Sequence, residues 1–546
     1  MQFFMRLGVV LAGVTFGARL VSLAHAAEPA SELRGGVVDK ATGATLGARV
    51  YIQAEDGRWY FPKSADEKGS AVEFKREYVE SQSVEMHTTL SPHPFVVSLP
   101  PGGYTLTVER GKEYLPLIKK ITLGQQPVEL KLELERFIDM PARGWYSGDT
   151  HIHHPLRDVP NLILAEDIHI AFPLSHWVTS ADQDPISGNR IQAADVSAQV
   201  IQVSPRHLIY PLNTEYEIFT VGGKNHTLGA FVAIGHKRPL NQKAPPVAAI
   251  AEQIHREGGL IDLEKHSWPW SVAIVPVMKV DLFELANNHC WRTNFRFSQW
   301  TINAAGEYMQ LERDGKGLTE WGWIDFGFQT YYALLNCGFK LQPTAGTGAG
   351  VHPAPLGFGR VYVHQPDGFD SEKWLRGLRE GRSFVTTGPL LEVKLGGEIP
   401  GHVFANLKPG DEKQLSGLVE SIQEIERIEL VKNGQVSKIM PAKTTKTSRG
   451  TWRTEFAAAI RVDAATWVAV RCLEKHPEKR IRFAHTAPWH CEVPGTALAP
   501  TKDEKAYLVG RCREEIERNR PVLAAEAMAE FEQALQFYER LPVRVP

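Results

Sequence analysis

The chain has 546 residues, of which 43% are hydrophobic and 23% are charged, a composition typical of soluble globular proteins. This length exceeds what one hydrophobic core usually fills and predicts three or four domains. The 61 Lys and Arg nearly balance the 63 Asp and Glu, which gives a net charge of -2. The balance argues against a basic nucleic-acid or membrane-binding face, so no polyanionic partner is expected.

Residues 1–26 have the features of an export signal. Arg6 precedes a mostly apolar run over residues 7–23, and Ala24-His25-Ala26 is similar to a signal-peptidase cleavage site. Arg19 interrupts the run, which disfavours a permanent transmembrane helix more than a cleavable signal. We expect a periplasmic or extracellular protein with no stable membrane span after cleavage, and an uncleaved N-terminal anchor is the alternative.

The cysteine pattern restricts the metal chemistry that the chain can support. There is no C-x-x-C pair, which excludes a cysteine-ligated zinc ribbon, so any metal must use His and carboxylate ligands. Cys472 and Cys491 lie in neighbouring strand-like segments and can pair in an oxidising compartment. The odd number leaves at least one thiol free or intermolecular. The five cysteines are Cys290, Cys337, Cys472, Cys491 and Cys512.

Residues 30–138 alternate short strand-like runs with turn signals, a pattern typical of a β-sandwich. The runs cover residues 35–38, 48–53, 95–99, 104–108 and 128–134. Residues 34–50 and 101–106 resemble carboxypeptidase-regulatory-like domains, which are small sandwiches without chemistry of their own. We therefore expect a structural role for this region.

Residues 140–390 change to apolar strand-like runs that alternate with helical stretches such as 247–257, which indicates an α/β region. Histidines and acids follow several of these runs, as in 170–176, 260–266 and 280–285. In a β/α barrel the C-terminal ends of the parallel strands converge at one mouth, so residues that are distant in sequence can form one site there.

Residues 391–497 return to a β pattern and predict a second β-sandwich, with the clearest strands at 425–432 and 466–471. Residues 502–546 predict a C-terminal helical segment. Its apolar residues recur at helical spacing, and we expect them to pack against the barrel rather than to bind a partner. These residues are Ala527, Met528, Phe531, Ala534, Leu535 and Tyr538.

The sequence Gly-Asp-Thr-His-Ile-His-His at residues 148–154 is the clearest chemical motif. In a strand, residues two apart share a face, so His151 and His153 can bind one ion while Ile152 packs the other way. Asp149 lies on the same face and can ligate an ion or fix a histidine tautomer. The alternative is an accidental histidine cluster on a loop, because His-rich tracts alone are weak indicators.

Further motifs follow this stretch in a defined order. They are Asp149-x-His151-x-His153, Asp158, Leu174-Ser175-His176, Glu215, His226-Thr227-Leu228-Gly229, Lys265-His266, Glu284-Leu285-Ala286-Asn287 and His352. The set resembles the PHP (polymerase and histidinol phosphatase) metallohydrolases. Residues 148–153, 283–288, 344–352 and 382–389 point, within that family, to the carbaryl-hydrolase-like (CehA/McbA) group. The resemblance covers residues 140–390 and, more loosely, the flanking regions.

The resemblance implies a distorted, TIM-like seven-stranded β/α barrel that holds metal ions, here flanked by two β-sandwiches. By position it implies metal ligation by His151, His153, Glu215, His226, His266 and His352, with Asp158 and His176 as candidates for a third metal position. Glu284 and Asn287 would orient ligands or substrate, or only form hydrogen bonds at a strand end. The alternatives are core packing for His226 and His266 and solvent exposure for Glu215.

Two positions depart from the family pattern. Leu174-Ser175-His176 lacks the acid of the usual Thr-Asp-His, and Gly350 stands where an Asp usually precedes the last histidine. Without that carboxylate, one or two ions are expected rather than three. A degenerate site that binds no catalytic metal is the alternative.

The sequence therefore predicts an exported metal-dependent hydrolase that uses metal-activated water on an ester, carbamate, amide or phosphoester bond of a small molecule. Ligation by His and carboxylate suits Zn, with Mn or Fe as alternatives. Trp177, Trp268 and Trp270 can wall a pocket for an aromatic substrate, or pack at the barrel rim. The rival predictions are a PHP phosphoesterase and a non-catalytic binding protein with a degenerate barrel.

Overall fold

The computed structural model describes residues 31–78, 83–185, 196–287 and 304–544. The predicted export signal and Cys290 lie outside these ranges. The described chain is a mixed, sheet-rich structure in which strands outnumber helices. Among the described residues, no helix combines the length and the apolar character needed to cross a membrane.

Ten strands of the N-terminal region form two sheets. They are β1 Ser31–Asp39, β2 Ala48–Ala54, β3 Trp59–Tyr60, β4 Lys63–Ser64, β5 Ala71–Tyr78, β6 Ser83–Leu90, β7 Phe95–Leu99, β8 Gly102–Glu109, β9 Leu117–Leu123 and β10 Val128–Leu134. One sheet has the order β10-β1-β7-β4, and the other has the order β5-β6-β2-β8-β9 with β3 beside β2. Phe95 of the first sheet and Leu106 of the second are fully buried in one shared core. All five strands predicted here are confirmed.

The middle region contains strands and helices in alternation. They are β11 Trp145–Ile152, α1 Val159–Glu166, β12 Ile170–Pro173, β13 His176–Ser180, β14 Ile201–Ser204, β15 His207–Ile209, β16 Thr214–Val221, β17 Lys224–Ile234, α2 Ala248–Arg256, β18 Leu260–Leu263, α3 Ser271–Met278, β19 Leu282–Ala286, β20 Arg313–Asp314, β21 Gly317–Leu318, α4 Glu320–Asn336, β22 Gln342–Ala345, β23 Arg360–His364, α5 Ser371–Arg379 and β24 Ser383–Thr386. The helix predicted at 247–257 is confirmed as α2.

Two sheets divide these strands. One has the order β13-β16-β17-β18-β19-β22, and the other begins β14-β15-β12-β11-β23-β24. Strands β18, β19 and β22 are parallel, so their C-terminal ends lie at one edge. The end of β11 reaches the same edge, where Ile152 bridges to Ala349 in the loop after β22. The pairing of the described strands forms no closed barrel.

The C-terminal region adds ten strands and two helices. They are β25 Leu390–Leu395, β26 Val403–Phe404, β27 Asp411–Ser421, β28 Ile425–Lys432, β29 Gln435–Ile439, β30 Pro441–Lys446, β31 Trp452–Val462, β32 Thr466–Glu474, β33 Phe483–Thr486, β34 Trp489–Cys491, α6 Lys502–Asn519 and α7 Ala525–Arg540. Strands β25-β27-β31-β30 form one sheet. Strand β33 pairs with β24, so the second sheet of the middle region continues into β33-β32-β28-β29. Hydrogen bonding therefore crosses the predicted boundary at residue 390.

Helices α6 and α7 pack on the middle region. Phe531 and Tyr538 of α7 are buried in the main core, and Tyr538 Oη donates to the carbonyl of Val272 in α3 over 2.7 Å. The Glu530 carboxylate accepts the backbone N–H groups of Val247 and Ala248 at the start of α2. The predicted apolar stripe is confirmed as a packing face.

The disulfide considered between Cys472 and Cys491 is not formed. Both are buried free thiols. Thr466, rather than Cys472, lies opposite Cys491 in the pairing of β32 with β34. Neighbouring strands had suggested proximity, but the register separates the two sulfur atoms along the strand.

The buried His485 of β33 predicts an acid-sensitive contribution to stability. Its Nε2 lies 2.9 Å from Tyr332 Oη, and burial lowers its pKa to about 3. The unfolded chain binds this proton near pH 6.5, so the contribution is complete above that pH and is lost as the pH falls toward 3.

We expect His485→Phe to flatten the pH dependence of the unfolding free energy between pH 6.5 and 4.5 by about 1.4 kcal/mol per pH unit. Urea denaturation over this range measures the effect. Parallel curves for the variant and the parent protein would contradict it.

Candidate metal centre

Buried histidine and glutamate side chains meet at the edge where β11, β18 and β19 end. Two overlapping groups place their donor atoms close enough to hold a metal ion: His151, His153 and Glu215, and His151, Glu264 and Glu284. His151 lies in β11 and Glu284 in β19, whereas His153 and Glu264 directly follow β11 and β18. The parallel pairing of β18 with β19 explains why the two acids from these strands meet.

The first group has the spacing of ligands around one ion. His151 Nε2 and His153 Nε2 lie 3.0 Å apart. Glu215 places Oε2 3.3 Å from His153 Nε2 and Oε1 3.8 Å from His151 Nε2. Tetrahedral ligands about 2.0 to 2.1 Å from a zinc ion lie about 3.3 Å from each other. The three side chains therefore fit a shared divalent ion.

The other nitrogen of His151 faces carboxylates. Its Nδ1 lies 3.0 Å from Glu284 Oε2 and 3.3 Å from Glu264 Oε2. A histidine that ligates a metal commonly donates its second N–H to a carboxylate, which fixes the tautomer and the ring orientation. Burial lowers the pKa of His151, which favours the neutral form that a metal needs. The geometry thus favours the first group as the ligand set, with Glu264 and Glu284 orienting His151.

The buried Glu215 carboxyl group lies among other acids and within hydrogen-bond reach of Glu264. It is 1% exposed, which rules out the solvent-exposed alternative. Within the described residues, neither of its oxygens accepts a hydrogen bond of ordinary geometry. Burial and the nearby Glu264 and Glu217 raise its pKa well above the usual value. A cation between Glu215 and the imidazoles would remove this cost, because it supplies both partner and opposite charge.

The ammonium group of Lys265 is a positive charge within the cluster of acids. Lys265 Nζ lies 2.6 Å from Glu264 Oε2 and 3.8 Å from Glu217 Oε1, and the lysine is 6% exposed. Burial opposes its charge, but Glu264 and Glu217 outweigh burial and raise its pKa above the usual value. The sequence analysis assigned no role to these three, although Lys265 is part of the Lys265-His266 motif, since one charged residue after an apolar run is a weak signal.

Asp149 supports the loop after β22 instead of facing the ligand group. Its Oδ2 accepts the Thr347 hydroxyl over 2.6 Å and the Gly357 N–H over 2.8 Å. Its Oδ1 accepts the N–H of His151 over 3.2 Å. Backbone and hydroxyl donors thus occupy the Asp149 carboxylate, and Asp149 belongs to neither of the two donor groups.

Two glycines let this loop approach the site. A Cβ at Gly346 would lie 2.3 Å from Glu284 Oε2 and 2.5 Å from the Cβ of His151. Gly350 has a φ of +104°, and a Cβ there would lie 2.9 Å from the carbonyl carbon of His153. Position 350 is where the family pattern has an Asp. In this protein the backbone conformation and the close contact disfavour any side chain there.

His352 lies beside the ligand group but belongs to neither donor set. Its N–H donates to the Gly348 carbonyl over 3.0 Å. Burial lowers its pKa to about 3, and the charges of Lys265 and His151 act in the same direction. Asn287, the second predicted orienting residue, directly follows β19 and is buried.

Three further predicted ligands lie outside the two donor groups. Asp158 precedes α1, and its Oδ1 is 3.7 Å from Arg157 Nε. His226 Nε2 lies 2.7 Å from Asn519 Oδ1 at the end of α6. His266 packs against the ring of Phe326 in α4. His226 contacts α6, whereas both buried ring nitrogens of His266 have no hydrogen-bond partner among the described residues. Neither residue belongs to the two donor groups.

His176 lies on the other face of its sheet. It opens β13 instead of ending the preceding apolar run, and it pairs with Thr214. The Thr214 hydroxyl lies 3.1 Å from His236 Nε2. Because neighbouring residues of a strand point to opposite faces, this side is turned away from Glu215.

Trp177 is the aromatic residue that lies against the ligand group. Its ring meets that of His153 at a centroid distance of 4.9 Å, and its Nε1 donates to Glu217 Oε2 over 2.9 Å. Trp268 packs against Phe219, and Trp270 is fully buried in the main core. Trp268 and Trp270 are therefore packing residues, whereas Trp177 contacts the ligand group.

A scan against protein-family models gave no match, and a search of curated proteins found no similar one.

We expect Gly346→Ala to weaken zinc binding at least about tenfold, because the added methyl group must displace Glu284 or His151. Competition with a chromophoric chelator measures the affinity. The matched control is Gly510→Ala in α6, where a Cβ would meet nothing within 4 Å. Equal affinity of both variants would contradict the geometry.

His226→Ala should retain the metal content of the parent protein, since the structure pairs this ring with Asn519. His153→Ala should lose the metal. Elemental analysis after dialysis distinguishes the two. Loss of metal from a folded His226→Ala protein would instead place His226 among the ligands, as the family resemblance implies.

Proposed function

We propose that the protein is an exported PHP-type metallohydrolase that cleaves an ester, carbamate or amide bond of a small molecule. The observation that carries the proposal is the convergence of two imidazole Nε2 atoms and the Glu215 carboxylate on one buried point. A divalent ion accounts for this arrangement, because it supplies the positive charge that two neutral imidazoles do not give to a buried carboxylate.

His151, His153 and Glu215 would hold the ion, and Zn suits their nitrogen and oxygen donors best, with Mn or Fe as alternatives. A bound ion of this kind makes a water molecule acidic enough to act as a nucleophile near neutral pH.

The surrounding side chains have separate roles in this proposal. Glu284 and Glu264 hold the His151 ring through Nδ1. His153 is 9% exposed, and Trp177 beside it is half-buried, so this side is where a substrate can approach. The face of the Trp177 ring gives an apolar surface that suits an aromatic leaving group.

We further propose that the middle region is a distorted barrel. Its two sheets are not joined by strand pairing all the way round, so the barrel is open. Leu174, between β12 and β13, donates to the carbonyl of Ile152, so the chain passes from one sheet to the other beside β11. The bridge between Ile152 and Ala349 brings β11 to the loop after β22 at the opposite edge of the six-stranded sheet. Both contacts support a barrel-like closure around His151.

We expect the zinc-loaded protein to hydrolyse aryl ester or aryl carbamate substrates, and His151→Ala/His153→Ala to lose more than about 100-fold of that activity. Loss of groups that only orient ligands already costs about 10- to 100-fold. The matched control is His255→Ala, whose ring instead contacts Asp281 over 2.8 Å.

Parallel assays with p-nitrophenyl phosphate identify the reaction class. Turnover of the phosphate alone would favour the phosphoesterase, and bound metal without any turnover would favour the binding protein. Equal turnover by the double variant and the parent protein would exclude catalysis at this site.

A further inference from the structure

The second donor group consists of His151, Glu264 and Glu284, and the ammonium of Lys265 lies beside it. Its donor atoms lie within 4.8 Å of one another, which is close enough for an ion. The ammonium of Lys265 already lies 2.6 Å from Glu264 Oε2. That same oxygen faces His151 Nδ1 over 3.3 Å.

We propose that the Lys265 ammonium takes the place of a second metal ion, so that the protein binds one divalent ion per chain. The inference rests on the proposed metal site and adds its stoichiometry. Lys265 is a positioning residue in this proposal, because it acts on the ion through Glu264 and His151.

Electrostatics supports this assignment. An ion bound to Glu264 Oε2 at about 2.1 Å could lie no farther than about 4.7 Å from the ammonium. Two like charges this close in a buried site repel strongly, because little water screens them. Lys265 also lies 3.8 Å from Glu217 Oε1, so acids on two sides hold the ammonium in place.

The hydrogen bonding of His151 agrees with a single ion while the ammonium is present. Two ions in the overlapping groups would have to share this imidazole through both nitrogens, which requires an anionic ring. Nδ1 instead faces Glu284 Oε2 over 3.0 Å, the distance of an N–H donated to a carboxylate. While the ammonium is present, a ring that donates from Nδ1 has one lone pair left for an ion, at Nε2. In Lys265→Met, an ion that replaces the ammonium would displace the Nδ1 proton and bind that nitrogen.

The test is metal stoichiometry. The full chain is saturated with Zn²⁺, freed of excess metal by gel filtration and analysed for zinc. We expect one equivalent in the parent protein and two in Lys265→Met, which removes the ammonium but keeps the stem. The matched control is Lys112→Met, a lysine that donates to the Thr387 carbonyl in another part of the fold and should leave one equivalent.

Manganese EPR of the parent protein gives a readout that needs no variant. A single Mn²⁺ per chain gives an uncoupled six-line signal, whereas two ions in the overlapping groups give a spin-coupled one. Lys265→Gln replaces Lys265→Met if the latter does not fold, and circular dichroism checks both.

The outcomes separate this inference from the proposed function. Two equivalents in the parent protein, or a coupled Mn²⁺ signal, would overturn the role of Lys265 and leave the metallohydrolase proposal intact. One zinc ion per chain in both the parent protein and folded Lys265→Met would overturn the proposal that the ammonium takes the place of a second ion. No bound metal in the parent protein would overturn both proposals.

Discussion

The burial of several carboxylates around one histidine is the constraint on which the candidate site depends. Glu215, Glu264 and Glu284 are each at most 1% exposed, and Lys265 is the one ammonium that contacts this cluster within the described residues. Ionised groups removed from water are costly unless opposite charges or donors accompany them. The cluster must therefore hold protons or cations, and the two imidazoles facing Glu215 make a cation the better chemical match.

The rest of the fold brings these charges together on rigid elements. Parallel strands β18 and β19 deliver the two acids that face His151 Nδ1, while Asp149 fixes the loop that carries Gly346 and Gly350. The N-terminal sheets take part as well, because Arg76 of β5 donates to the Gly350 carbonyl over 2.6 Å. Buried ion pairs attach these sheets to the end of α1, as between Arg49 and Glu166 at 2.9 Å. The N-terminal region, for which a structural role is expected, thus supports the loop beside the candidate metal centre.

The sequence predicts local features of this protein better than its long-range contacts. The spacing of His151 and His153 is local, because strand geometry alone brings two such rings together. Glu264 and Lys265 have no comparable signal, since their role depends on the pairing of β18 with β19. For His226 the deciding contact is with α6, almost three hundred residues later in the chain. Family order suggested a ligand there, but the packing of a distant helix determines which atom its ring meets.

Acidic and basic side chains follow one another in a line through the site, from Glu217 through Lys265 and Glu264 to His151. These contacts couple residues that do not touch each other directly. Glu217 faces Lys265, Lys265 contacts Glu264, and Glu264 faces His151 Nδ1. Each ionised group has an opposite or donating neighbour on both sides, which lowers the cost of burying the whole line. The Nε2 atom of His151 ends the line at the position shared with His153. A substitution at Lys265 therefore changes the charge next to Glu264, and through Glu264 the surroundings of the candidate ligand His151, without contacting the His151 ring.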